Sequence, residues 1–273
     1  LERALAGKAT LHYAKGSNLT EDAALEERGT MFGKSLGRDN RSDEELLNEA
    51  LEAARSSDII IAALGESAEF SGESSSRTNL DIPDVQKKLL MELVKTGKPV
   101  VLVLFNGRPL TLTWEDAHVP AILDVWFGGS EAGDAIADVL FGDVNPSGKL
   151  TTTFPQNVGQ IPLYYNHKNT GRPLQDGFWF QKFRSNYLDV PNDPLYPFGY
   201  GLSYGKFRYA DIKVSSTNLK GNQKLIASVE ITNASDYNGK EVVQLYIRDV
   251  VGSVTRPVKE LKGFKKVEIG ARQ

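Results

Sequence analysis

The sequence predicts an α/β domain with a mainly parallel sheet sandwiched by helices, followed by a truncated β-sandwich. Three observations support this fold class. Apolar, strand-like runs alternate with amphipathic helical patterns through residue 142, as expected when helices connect parallel strands. One of the runs leads into an 18-residue loop, Gly65–Ile82, without periodicity. From Lys206 onward the hydrophobic period changes to two, which is typical of a β-sandwich.

The N-terminal part of the chain contains one well-defined helical pattern. Residues 2–6 resemble the end of a helix and residues 8–14 a strand, and a polar stretch then extends to about Arg41. Ser42 fits the N-cap of the next helix, with two glutamates in its first turn, where negative charge stabilises the helix dipole. Leucines and alanines follow at helical spacing up to Ala54. The pattern therefore predicts a helix that begins just after the serine.

Three apolar runs and two amphipathic patterns define the α/β part. The runs are almost continuously hydrophobic, as in strands that are covered on both faces. A proline fits the first position of the first helical pattern, and each pattern ends at a glycine. The predicted elements, in order, are the strand Asp58–Leu64, a helix that begins at Pro83, the strand Val100–Phe105, the strand Ala121–Phe127 and the helix Glu131–Phe141.

Three carboxylates lie in the long loop after the first strand: Glu66, Glu69 and Glu73. Open parallel sheets bind ligands beyond the carboxyl ends of their strands, and loops this long are usually functional or disordered. Glycoside hydrolysis requires two carboxyl groups, one to protonate the leaving oxygen and one to attack or to activate water. A glutamate on a loop over a sugar suits the acid role, because desolvation raises its pKa. The residues alone leave all three as candidates, beside the simpler interpretation of solvated loop glutamates.

The composition changes after the last helical pattern. Residues 143–204 are rich in Pro, Gly, Asn and aromatics, which predicts a wrapping segment with little helix. Alternating runs at 225–232 and 243–248 indicate strands, but only about four strands fit, whereas a sandwich of this kind needs about seven. We therefore expect an α/β domain over 1–204, a truncated sandwich over 205–273, and a chain that is a piece of a longer protein.

Composition and motif spacing argue against several classes of function. The chain has no cysteine and a net charge of −3, which excludes thiolate chemistry and argues against a nucleic-acid binder. No apolar run approaches the roughly 18–20 residues of a membrane span. The segment Gly142–Leu150 has five residues between its glycines and ends in leucine, so it fails the phosphate-loop pattern. His12, His118 and His167 show no ligand spacing. We therefore predict neither a cofactor nor a metal, and neither a nucleic-acid nor a membrane partner.

Several blocks of the sequence, in order, resemble one known enzyme family. The blocks are GESAEFSGESSSRTNLDIPDVQKKLL, GKPVVLVLFNGRPL, GGSEAGDAIADVLFGDVNPSGKLTTTFP and SNYLDVPNDPLYPFGYGLSY. They resemble the C-terminal part of glycoside hydrolase family 3, of the bacterial β-glucosidase type. The later block EVVQLYIRDVVGSVTRPVKELKGFKKV resembles the fibronectin type III-like domain that follows in many members. The likeness covers nearly the whole chain.

The resemblance implies a retaining, exo-acting enzyme of three parts. An N-terminal (β/α)8 barrel carries an aspartate nucleophile, an α/β domain supplies the acid/base glutamate on a loop, and the fibronectin-like domain follows. The position that matches the acid/base is Glu73, within Ser71–Arg77. Glu66 is expected to hold the loop, Glu69 is the alternative acid, and Arg77 is expected to brace the loop electrostatically.

The resemblance also implies what the chain acts on and what it lacks. Its substrates would be terminal β-linked glucosides or oligosaccharides, and its partner the N-terminal barrel of the same protein, in the periplasm or secreted. The isolated chain, without that barrel and its nucleophile, is expected to be inactive. Alternatives are a non-catalytic carbohydrate-binding or domain-packing module and a β-xylosidase-type member. Phe70, Trp114, Trp126 and Trp179 are candidates for sugar stacking, with packing as the simpler interpretation.

Overall fold

The computed structural model describes residues 1–29 and 37–273. The chain divides into two compact units, each built from several segments. The first unit comprises 1–137, 152–164 and 170–197, and the second comprises 138–151, 165–169 and 198–273. The domain boundary predicted after residue 204 remains a prediction. Part of the predicted polar stretch before Arg41 falls on residues 30–36, outside the described residues.

Helices and parallel strands occupy the first half of the chain, and short antiparallel strands occupy its end. The helices are α1 (Glu2–Leu5), α2 (Ala23–Gly29), α3 (Asp43–Arg55), α4 (Asp84–Lys95), α5 (Thr113–His118) and α6 (Ala132–Leu140). The strands are β1 (Ile60–Gly65), β2 (Val100–Phe105), β3 (Ala121–Asp124), β4 (Phe207–Tyr209), β5 (Lys213–Val214), β6 (Ala227–Ser228), β7 (Ile231–Asn233), β8 (Gly239–Ile247) and β9 (Glu260–Ile269). Across the two described ranges, no helix is long and apolar enough to cross a membrane.

The first three strands form a parallel sheet in the order β1-β2-β3, which confirms the predicted α/β class. The register pairs Leu64 with Leu104, and Leu104 in turn with Asp124. Helix α3 packs against α4, and α4 packs against β1. The fully buried leucines of this core are Leu46, Leu90, Leu102, Leu104, Leu110 and Leu112.

The carboxyl ends of the three strands meet at one edge, because the strands are parallel. Glu66 directly follows β1, Asn106 directly follows β2, and Asp124 is the last residue of β3. Leu64, Leu104 and Asp124 are in register across the three strands, so the residues at the strand ends lie side by side along this edge. The sheet thus gathers polar groups from three separate stretches of sequence.

The predicted start of α3 is confirmed in detail. The Ser42 hydroxyl accepts a hydrogen bond from the Glu45 N–H at 3.2 Å, and the Glu45 carboxylate accepts one from the Ser42 N–H at 2.8 Å. This capping box satisfies two backbone donors that would otherwise lack partners at the helix end. Helix α4 begins at Asp84, so Pro83 occupies its N-cap and not the predicted first helical position.

Several local predictions were wrong. Residues 8–14 form no strand, because no neighbouring described strand pairs with them. Ile59 was assigned to the buried run but is 60% exposed, since pairing with β2 begins at Ile60. Helices α2 and α5 were not predicted. Each is only about two turns long, so neither shows the repeated apolar spacing by which a helix is recognised.

The end of β1 depends on a glycine and on a buried glutamine. Gly65 has φ 136°, and a Cβ there would stand 1.8 Å from the carbonyl oxygen of Phe105. Gln86 of α4, which is almost fully buried, accepts a hydrogen bond from the Gly65 N–H at 2.7 Å and donates one to the Gly65 carbonyl at 2.8 Å. This pairing fixes the point at which the chain leaves the sheet and enters the long loop.

Replacement of Gly65 by alanine is expected to destabilise the fold by about 2–4 kcal/mol, because the new methyl group overlaps backbone rather than a movable side chain. Urea unfolding followed by circular dichroism measures the effect. Gly133→Ala is the matched control, since no atom lies within 4 Å of its Cβ position in α6. That control should be neutral or stabilising by up to about 1 kcal/mol. Equal stability of the two variants would contradict the prediction.

The second unit contains three two-stranded antiparallel sheets, β4–β7, β5–β6 and β8–β9. Antiparallel strands at the C-terminus confirm this part of the predicted fold class. The expected number of strands was too low, because strands of two or three residues leave no alternating pattern. The predicted strand at 225–232 is in fact two short strands, β6 and β7, interrupted at Val229–Glu230.

Candidate active site

A buried ionic cluster lies at the base of the long loop. The Glu66 carboxylate, with no exposed side-chain surface, pairs with Arg77 Nη1 at 2.7 Å and with Arg108 Nε at 3.1 Å. The Gly107 N–H also donates to it, at 3.4 Å. A buried carboxylate is stable only when paired and hydrogen-bonded. Glu66 is therefore a structural group, and its expected role of holding the loop agrees with these contacts.

Arg108 and Gly107 anchor the first half of the loop. The Arg108 guanidinium donates to the carbonyl of Phe70. Gly107 lies so close to the loop that a Cβ there would stand 2.0 Å from Ser71 Oγ and 2.7 Å from Phe127 Cε2. The segment after β2 thus contacts the loop at Phe70 and Ser71, three and two residues before Glu73.

The second half of the loop is fixed just as firmly. Arg77 donates to the carbonyl of Asp81 at 3.2 Å, and Asp81 accepts a hydrogen bond from the Thr111 hydroxyl. The Thr111 N–H donates to the carbonyl of Leu80 at 2.9 Å. Arg77 therefore joins the return of the loop to Glu66, as expected for a residue that braces the loop electrostatically.

Glu73 lies at the exposed tip between these two anchors. Gly72 and Ser74 on either side have positive φ, 126° and 60°, so the backbone turns sharply at the glutamate. The side chain is exposed, and none of the described residues donates a hydrogen bond to its carboxylate. Within the described chain Glu73 is therefore exposed to solvent. A free carboxylate on a doubly anchored loop is available to a ligand.

The other sequence candidates are buried or half-buried, except for Trp179. Glu69 is half-buried in a 3-10 turn, Ala68–Phe70, whose N-cap is the Ser67 side chain. Phe70 is buried, so it packs under the loop. Trp114 stacks on His118, with ring centroids 4.5 Å apart, and Trp126 packs on Phe154. Of the three tryptophans, Trp179 is the exposed one, about half of its surface being accessible.

A second carboxylate, Asp124, lies half-buried at the same edge of the sheet, with both of its oxygens shielded from solvent. Neither of its oxygens makes a hydrogen bond of normal geometry with a described residue, and the same holds for Asn106 Oδ1. Burial raises the Asp124 pKa from its ordinary 3.8 to about 6, and the Trp126 N–H offsets only part of that rise. Sequence reasoning missed this group because it placed Asp124 inside a strand over Ala121–Phe127, whereas β3 ends at Asp124.

The raised pKa of Asp124 predicts a pH-dependent stability. A carboxyl that is harder to ionise in the folded state costs nothing below pH 4 and costs stability as the pH rises from about 4 to about 6. Asp124→Asn is therefore expected to be more stable than the parent by about 2 kcal/mol at pH 7.5, after allowance for partial exposure. Near pH 4 the two should be about equal. Urea unfolding at both values measures this, and a difference independent of pH would contradict it.

The described residues offer no metal centre, since nowhere in 1–29 and 37–273 do three His, Asp or Glu side chains come together as ligands would.

Sequence reasoning also missed Gly107, Arg108 and Gln86, which hold the loop in place. An arginine just beyond a parallel strand, as in FNGRPL, was the available signal for Arg108.

Comparison with known proteins identifies the family. The domain described as "Glycosyl hydrolase family 3 C-terminal domain" matches residues 5–204, and the "Fibronectin type III-like domain" matches residues 241–273. The chain is 48% identical to a periplasmic β-glucosidase of Salmonella typhimurium over 98% of its own length and 35% of that protein. It is 44% identical to a β-xylosidase of Formosa agariphila, over 81% of its own length and 30% of that protein.

Solved structures give the same result. A β-glucosidase from Listeria innocua superimposes with a TM-score of 0.80 at 45% identity, covering 85% of this chain and 32% of that one. A β-glucosidase from Erythrobacter marinus gives 0.82 at 37% identity, with 99% and 36% covered. The chain thus spans about a third of the length of these relatives. It belongs to glycosyl hydrolase family 3, of which it contains the C-terminal α/β domain and fibronectin type III-like sequence.

Proposed function

We propose that this chain is the acid/base half of a retaining, exo-acting β-glucosidase, and that Glu73 is its general acid/base. The observation that carries the proposal is the doubly anchored loop, which holds one exposed carboxylate beyond the carboxyl edge of a parallel sheet in a chain of this family. The nucleophile is an aspartate in an N-terminal barrel of the full-length protein, outside this chain.

In this mechanism Glu73 moves one proton in each of two steps. As an acid it gives its proton to the glycosidic oxygen while the barrel aspartate forms a bond to the anomeric carbon, and the leaving group departs as an alcohol. As a base it then takes a proton from the water that attacks the glycosyl–enzyme bond, which restores both carboxyl groups. The Glu66 cluster touches neither reacting atom and only fixes the loop.

The barrel would also shield the Glu73 side chain from water. In retaining enzymes the two carboxyl groups lie about 5–5.5 Å apart, so the barrel aspartate and its surroundings would cover the exposed tip of the loop. A general acid works best with a pKa near the working pH, and removal from water raises the pKa of a carboxyl. The exposed Glu73 of this chain is therefore one half of a site that closes in the whole enzyme.

A β-xylosidase is the second candidate, favoured by the 44% identity to the Formosa agariphila protein. The two activities differ in the glycone, because xylose lacks the hydroxymethyl group of glucose. The ratio of kcat/KM for 4-nitrophenyl β-glucoside and 4-nitrophenyl β-xyloside decides between them. A periplasmic or secreted location is proposed with the enzyme, by analogy with the Salmonella typhimurium relative.

The proposal is tested with the full-length protein and with this chain alone. The full-length protein should hydrolyse an aryl β-glucoside and release β-glucose first, as proton NMR of the anomeric signals would show. The isolated chain should release no nitrophenol, because the nucleophile lies elsewhere. Turnover by the isolated chain that Glu73→Gln abolishes would place a nucleophile within it. If the full-length protein binds oligosaccharides without hydrolysing them, the chain is a non-catalytic module.

A further inference from the structure

One partly exposed aromatic side chain lies close to the loop that carries the candidate acid. Phe127 follows β3 and is 39% exposed. Its Cε2 and the hydroxyl of Ser71 both lie within 3 Å of the point where a Cβ would stand at Gly107. The phenyl ring and Ser71 therefore pack over the same glycine, Gly107. Ser71 lies two residues before Glu73 in the loop.

The backbone before this ring is held in an unusual conformation. Trp126 has φ 50°, the left-handed region that bulky side chains rarely adopt. The Val125 N–H still donates to Leu104 at 3.0 Å, and the Trp126 ring packs on Phe154 with centroids 5.8 Å apart. The turn is thus fixed on both sides, and it sends Phe127 out of the core at the edge where Glu73 lies. Strained backbone that persists in this way is concentrated at functional sites.

The chemistry of the proposed reaction determines what would occupy this surface. The acid donates its proton to the oxygen that joins glycone and leaving group, so the leaving group must lie beside Glu73. Sugar rings and aryl groups both present apolar faces that aromatic rings bind by stacking. We propose that Phe127 forms the wall of the site against which the leaving group stacks, and that it sets the preference for aryl and sugar leaving groups over small alkyl ones. The inference rests on the proposed function.

The test compares leaving groups in the full-length enzyme. Phe127→Ala should lower kcat/KM for 4-nitrophenyl β-glucoside and for cellobiose by about five- to tenfold, while methyl β-glucoside changes by less than about twofold. Inhibition by gluconolactone, which resembles the glycone alone, should not change. Phe127→Tyr should retain the parent values, and Phe127→Leu, which keeps bulk but loses the flat ring, should behave like alanine.

Controls separate stacking from a purely structural role. If Phe127 only supported the loop, its loss would misplace Glu73 and lower kcat/KM for all three substrates by the same factor. That result would overturn the inference. Full activity of Phe127→Leu would also overturn it. Phe264→Ala removes another exposed phenyl ring and should change nothing. If Glu73 variants show acid/base behaviour while Phe127→Ala acts on all substrates alike, this inference alone fails. If Glu73 proves dispensable, both fail.

Discussion

In the full-length enzyme, Glu73→Ala is expected to lower kcat/KM for cellobiose by about 10²–10⁴-fold, the usual contribution of a general acid. The loss should depend on the leaving group. A dinitrophenolate leaves without a proton, so bond cleavage in an activated aryl glucoside should be nearly unaffected, whereas an alkoxide needs the proton. Steady-state kinetics over a series of aryl glucosides, with log kcat/KM plotted against the leaving-group pKa, measure the dependence.

The second step supplies an independent test of Glu73. In Glu73→Ala no base activates water, so the glycosyl–enzyme intermediate should accumulate. Azide needs no deprotonation, so it should restore turnover and yield glucosyl azide. Glu69→Ala is the matched control, since it removes a glutamate of the same loop that is half-buried rather than exposed. Unchanged hydrolysis of cellobiose by Glu73→Ala would refute the assignment. Azide rescue of Glu69→Ala instead would transfer the acid/base role to that residue.

Glu66→Gln is expected to destabilise the chain by about 3 kcal/mol, the largest effect on stability that we predict for a single polar group. The amide cannot balance the charges of Arg77 and Arg108, whose side chains are only 21% and 18% exposed. Removal of one partner from a buried ion pair costs about 3–5 kcal/mol. The lower end applies here because the arginines retain some contact with water. The free energy of unfolding in urea measures the change.

The control for this substitution is Glu44→Gln, in the first turn of α3, where the side chain is exposed. It should change stability by less than about 0.5 kcal/mol. The Glu66 variant should also become more sensitive to proteolysis between residues 70 and 77, since both anchors of the loop converge on this carboxylate. A variant as stable and as resistant as the parent would show that Arg108 and Gly107 suffice to hold the loop.

The sequence by itself determined the elements whose signals are local. Continuous apolar runs located β2 without error, and the Ser42–Glu45 pattern located the start of α3. The motif blocks identified the family, which the comparisons confirm. These signals are readable because burial of a strand and capping of a helix each depend on residues close together in the chain.

The tertiary structure decided how the three loop glutamates differ. They are chemically identical in sequence, yet Glu66 is buried between two arginines, Glu69 is half-buried and Glu73 is exposed. It also decided that Gly107, Arg108 and Asp124, distant along the chain from the loop, lie at the same edge of the sheet. Burial and charge pairing arise from contacts between strands, and side-by-side parallel strands bring together residues that no local pattern connects.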